Sequence, residues 1–143
     1  MSYVGPITDM ESSLLDILRL GYNVKNFFGS PSTFPCYSGD ISMTECYNVY
    51  KNCKVSPIPK NDIGYREMDV IISGGNPLKY KDKEGFIKAA IKGIEGKKFS
   101  TKLSKSEILS HHTNYDRLSS ELYKFGLTIL ADKIIDRKKL CSA

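Results

Sequence analysis

The chain has 143 residues, 41% hydrophobic and 26% charged, with 11 Gly and 6 Pro, which excludes disordered and fibrous classes and fits a domain able to bury its own core. No apolar run approaches the roughly 20 residues needed to cross a bilayer, and Met1 to Pro6 lacks a signal peptide's basic start and apolar stretch, so secretion and a membrane partner are disfavoured. The formal charge of +5 is uneven: residues 1–75 hold 6 basic and 8 acidic groups, and residues 76–143 hold 15 and 8.

In chain order, Thr8 with Glu11 forms a capping-box pair opening a helix whose Met10, Leu14, Ile17 and Leu18 share a face and which ends at Gly21. Residues Asn26 to Pro35 read as an irregular loop carrying Phe27, Phe28 and Phe34. Ser42 with Glu45 opens a second helix with Met43, Cys46, Tyr47, Tyr50 and Cys53 at helical spacing, before Pro57 and Pro59 forbid continuation. The β-branched run Met68 to Ser73 predicts a buried strand, and Gly74-Gly75-Asn76-Pro77 a turn. A third helix is expected over Asp82–Glu95, striped with Phe86, Ile87, Ala90, Ile91 and Ile94 and capped by Gly96. Ser104 with Glu107 opens a fourth helix. Thr113 with Asp116 opens a fifth, whose Tyr115, Leu118, Leu122 and Phe125 are expected to face the core.

The expected fold class is therefore mainly helical α+β, four or five helices with a small sheet. A single domain is expected over 1–143, with a weakly acidic half over 1–75 and a basic, mainly helical half over 76–143. The Gly-Gly-Asn-Pro connection is too short for an independent linker.

The four cysteines, Cys36, Cys46, Cys53 and Cys141, contain no CxxC pair. They predict reduced thiols in an intracellular, cytoplasmic compartment, with no metal site and no cofactor.

Residues Leu103 to Leu127 give a short capped helix, a tight turn at His111-His112 and a longer capped helix ending Leu-x-x-x-Leu-x-x-Phe-Gly-Leu. This pattern resembles the helix-turn-helix of winged-helix DNA-binding domains, over about residues 82–141. The resemblance implies that Lys98–Leu103 is a short strand and that Leu127–Cys141, with Asp136-Arg137-Lys138-Lys139, is a hairpin wing. It also implies that Asn114, Arg117, Ser120 and Lys124 face the major groove while Arg137, Lys138 and Lys139 clamp the flanking backbone. Glu121 departs from the pattern by setting a carboxylate on the same face. The competing expectation is one long helix running through Gly126 to Arg137.

Clustered basic groups favour a nucleic-acid partner through counterion release, giving a non-enzymatic nucleic-acid-binding protein as the leading expectation. The alternative is a structural or assembly subunit of a virus particle or other large complex. It would act on other subunits or on copies of itself, and Phe27, Phe28 and Phe34 would form a partner-binding patch unless they fold into the core. No catalytic residues are assigned. His111 and His112 have no paired nucleophile, and imidazoles are favoured near the free carbonyls of a helix end. Ser73-Gly74-Gly75-Asn76 lacks both the dinucleotide and the phosphate-loop spacing, and reads as a turn.

Overall fold

The computed structural model describes residues 1–5, 10–58 and 65–142. The chain folds as two compact units, with the division after Lys102. The first holds β1 (Ser2–Val4), α1 (Glu11–Arg19), β2 (Lys25–Phe27), α2 (Met43–Asn52), β3 (Ser56–Pro57), α3 (Tyr65–Ile72), β4 (Pro77–Leu78) and α4 (Lys83–Ile94). The second holds α5 (Lys105–His111), α6 (Asn114–Lys124) and α7 (Thr128–Ser142). The chain is mainly helical with a small β content, the α+β class that its sequence predicts. Its seven described helices exceed the expected four or five because α3 and α7 replace a predicted strand and a predicted wing.

In the first unit every described strand pairing is parallel. β1 pairs β2 in the register Ser2 with Lys25, and β3 pairs β4 in the register Ser56 with Pro77. The Ser2 N–H donates to the Val55 carbonyl at 3.2 Å, which sets β1 beside the entry to β3. Tyr3 and Val4, adjacent and both buried, belong to different apolar clusters because strand side chains alternate between faces. Tyr3 joins Leu14 and Ile17 of α1, Phe86 and Ala90 of α4, Val55 and Leu78. Val4 joins Cys46 and Tyr50 of α2, Val70 of α3 and Ile58. The short strands thus form a layer between α1 and α4 on one side and α2 and α3 on the other. Residues 76–94 share the first of these clusters with residues 1–55, and the Gly74–Pro77 turn lies inside the first unit.

Three sequence expectations fail here. Asn26 and Phe27, expected in a loop, belong to β2 and pair with Tyr3 and Val4. The run Met68–Ser73 is not a strand: Tyr65–Ile72 is α3, in which Val70 alone is fully buried and Met68, Ile71 and Ile72 are half-buried. β-branching disfavours a helix by only a few tenths of a kcal/mol per residue, which tertiary packing of one face readily offsets. The strand positions fall instead on Ser56–Pro57 and Pro77–Leu78. Proline is tolerated because Ser56 and Ile58 donate the ladder bonds to the Asn76 and Leu78 carbonyls at 2.9 Å each, so β4 needs no donor from Pro57. Lys98–Leu103, expected as a strand, has no regular structure.

The helix boundaries follow the sequence more closely. Capping boxes at Ser42/Glu45, Ser104/Glu107 and Thr113/Asp116 all form. Asp82 caps α4 by accepting from the Gly85 N–H at 2.7 Å. Thr8, expected to cap α1, lies outside the described residues. No helix among the described residues is long and apolar enough to cross a membrane.

Candidate partner-binding surface

Gly126 decides the architecture of the second unit. Its φ of +73° is a left-handed conformation that glycine adopts without strain. The Gly126 N–H donates to the Tyr123 carbonyl at 3.0 Å and the Leu127 N–H to Leu122 at 2.9 Å, the paired bonds that close a helix at its carboxyl end. The chain then re-enters a helix at Thr128. Residues 127–141 are therefore neither a hairpin wing nor an extension of α6, but a separate helix, α7, packed on α6.

This packing turns α6 away from the expected orientation. Ser119 of α6 and Ala131 of α7 are both buried. Leu118 and Phe125, predicted to face the core, are instead 49% and 77% exposed. Sequence periodicity marked the apolar positions correctly, but only the position of α7 determines which side of α6 is covered.

Of the residues assigned to nucleic acid, the structure brings Asn114, Lys138 and Lys139 together on one cavity of about 960 Å³ beside Asp116. Asn114, Ser120 and Lys124 lie exposed on α6, with Arg117 half-buried among them. Lys124 pairs with Glu121 at 2.6 Å, and on α7 Lys139 pairs with Asp136 at 2.9 Å. Arg137 is exposed. Lys138, expected in a wing, is a structural residue: its side chain is 16% exposed, and its ammonium binds Asp116 at 2.6 Å and the Ser110 carbonyl. Burial pushes the Asp116 carboxyl up, but hydrogen bonds from Lys138 and Thr113 with the Lys138 charge prevail and hold it below the usual carboxylate range. The pair therefore ties α5, α6 and α7 together.

The second unit also presents a run of apolar side chains to solvent at the turn between α6 and α7. Besides Leu118 and Phe125, Leu127 is 50% exposed, Ile129 77% and Leu130 48%. Gly126 to Leu130 and Lys133 line a cavity of about 480 Å³ at the turn between α6 and α7. The sequence carried the signal for this surface in the spacing of Leu118, Phe125 and Ile129, which the core expectation absorbed.

The three candidate phenylalanines of the first unit separate. Phe34 is buried in the cluster with Leu14, Phe27 packs against the cluster with Tyr50, and Phe28 is exposed at a φ of +65°. His111 occupies the last turn of α5 and His112 its C-cap, the helix-end positions expected of them. Among the described residues no group of His, Cys, Asp and Glu could hold a metal ion. Cys36 and Cys46 are buried thiols, whereas Cys141 is exposed.

No family model matches this chain, and neither a curated protein nor a solved structure matches it.

Proposed function

We propose that the protein is a non-enzymatic assembly subunit that docks onto protein partners through the apolar end of the α6–α7 pair. The observation that carries the reading is the solvent exposure of Phe125, Leu127, Ile129 and Leu130 around one turn. Side chains half to three-quarters exposed forgo a matching share of the about 1.5 to 3 kcal/mol that full burial gives each, and contiguous exposed apolar surface marks protein interaction sites. Self-association is the first arrangement to test, by sedimentation of the full chain over a range of concentrations. Association should appear with rising concentration and weaken in a Phe125→Asp, Ile129→Asp double variant of unchanged helix content. A chain that stays monomeric throughout, with solubility and melting unaffected by the double substitution, overturns the reading.

A second reading, nucleic-acid binding, is favoured by a different observation. Counted by unit, residues 76–102 hold eight basic and three acidic groups, against seven and five in residues 103–143. Lys92, Lys97, Lys98 and Lys102, at and beyond the carboxyl end of α4, are exposed and make no ion pair among the described residues. A phosphate backbone would meet these lysines sooner than α6, whose charges are mostly paired. Chromatography with mixed-sequence duplex at about 50 and 200 mM salt tests it, since phosphate-driven binding falls steeply over that range. Binding should also drop when Lys97, Lys98 and Lys102 are replaced by Ala. Absence of binding at the lower salt overturns this reading.

A further inference from the structure

The carboxyl ends of parallel strands all point to one side of a sheet, and ligands collect where successive crossovers leave in opposite directions. In the first unit β1 has β2 on one flank and the entry to β3 on the other. The helix between β1 and β2 packs on one face and the helix between β2 and β3 on the opposite face. A cavity of about 400 Å³ opens at this point, walled by the end of β1 and by residues of α2 and α3.

Arg66, in the first turn of α3, lines this cavity. Its Nε and Nη1 are fully buried, and neither has a hydrogen-bond acceptor among the described residues. The guanidinium lies 5.2 Å from the centre of the Tyr3 ring, whose face partly compensates its charge. The guanidinium is a planar, fully charged donor group. Buried charges are ordinarily paired, and an oxyanion is the partner that this planar donor group fits.

The surroundings hold the guanidinium in place. Gly5 ends β1 at a φ of +131°, and a Cβ there would stand 2.8 Å from Nη1 and 2.9 Å from Nη2 of Arg66. Only glycine lets the arginine lie so close to the strand end. The buried Asn26 amide fixes that end by donating to the Gly5 carbonyl at 3.0 Å and the Tyr3 carbonyl at 3.4 Å. Burial pushes the Tyr50 hydroxyl well above its ordinary value and raises the Cys46 thiol. Among the described lining residues Asp69 is the carboxylate, and the Tyr47 hydroxyl donates to it at 3.5 Å. Phe28, Met43 and Tyr47 supply an apolar and aromatic wall.

We propose that this cavity binds a small molecule through an oxyanion, carboxylate or phosphate, seated on Arg66, with a flat apolar portion against Phe28, Met43 and Tyr47. The site is independent of the docking surface on α6 and α7. The full chain is titrated calorimetrically, and its melting followed, with three probes: phenyl phosphate, benzoate and the neutral benzyl alcohol. One or both anions should bind saturably at a single site and raise the melting temperature. Preference for phenyl phosphate identifies a phosphoryl ligand and preference for benzoate a carboxylate. Arg66→Met should weaken anion binding roughly tenfold or more while leaving the ligand-free melting temperature equal or higher, because it removes a half-buried guanidinium whose buried Nε and Nη1 have no acceptor among the described residues. Three results overturn the proposal: no saturable response to either anion at about 10 mM, an equal response to benzyl alcohol, or a lower ligand-free melting temperature in Arg66→Met. The last would mean that the guanidinium serves the fold.

Discussion

Asn76 illustrates how a polar residue in a glycine-rich turn acquires its role from distant parts of the chain. It is 2% exposed, its amide donates to the carbonyls of Lys54 at 2.9 Å and Lys97 at 2.8 Å, and its side-chain oxygen accepts from the Phe99 N–H at 2.9 Å. Two backbone segments, at Lys54 and at Lys97 to Phe99, are thus tied to one side chain. Asn76→Ala leaves those groups unsatisfied and should destabilise the first unit by about 3 kcal/mol, measured by urea denaturation. Asp116 offers a second test at this scale. A carboxyl whose folded pKa is depressed contributes stability that is fully present above its unfolded value, about 3.9, and is lost as pH falls through the folded one. The helix content of residues 103–142 should therefore hold at neutral pH and decline below about pH 4. Lys138→Met should flatten that decline and lower stability at neutral pH by about 2 kcal/mol.

At the scale of elements, the two expectations for residues 114–141 make opposite predictions about one substitution. Within a continuous helix, Gly126→Ala would stabilise by about 1 kcal/mol. Where φ is positive the added Cβ strains the backbone, so the structure predicts a loss of about 1 to 2 kcal/mol. No atom lies within 4 Å of the Cβ position, which leaves conformation as the sole cause. Thermal melting of the variant gives the sign directly. The capping boxes show the reverse situation, in which local chemistry suffices. Ser42, Ser104 and Thr113 each bond to a backbone N–H three residues on and receive the carboxylate of that same residue. Everything needed for those starts lies within four residues, so the sequence displays them.

At the scale of the molecule, the two units differ in how much they bury. The first has Leu14, Ile17, Val55, Val70 and Phe86 at zero exposure; in the second the fully buried apolar residues are Ile108 and Ala131. Local stability follows buried apolar area. Backbone amides of α5, α6 and α7 should therefore exchange with deuterium well before those of α1 and α4, as mass spectrometry of the intact chain would read. Equal protection across both units would show that residues 103–142 gain burial elsewhere. Charge is distributed on the same scale. The excess that marked residues 76–143 as basic belongs mostly to residues 76–102, because α5 to α7 intersperse acids among their lysines.

By itself the sequence determined the features whose causes are local. These are the mainly helical class, the capped starts of α2, α5 and α6, the start of α4 near Asp82, the ends at Gly21 and Gly96, and the placing of His111 and His112 at a helix end. Tertiary structure decided whatever depends on a distant neighbour. Val70 is helical because α3 packs on α2, and Pro57 sits in a strand because its neighbours make the ladder bonds. Leu118 and Phe125 are exposed because α7 covers the other side of α6. Lys138 is structural because Asp116 lies beneath it. The Arg66 cavity was invisible for the same reason: Gly5, Asn26, Tyr47 and Arg66 are far apart in sequence, and only the parallel layer of strands brings them to one place.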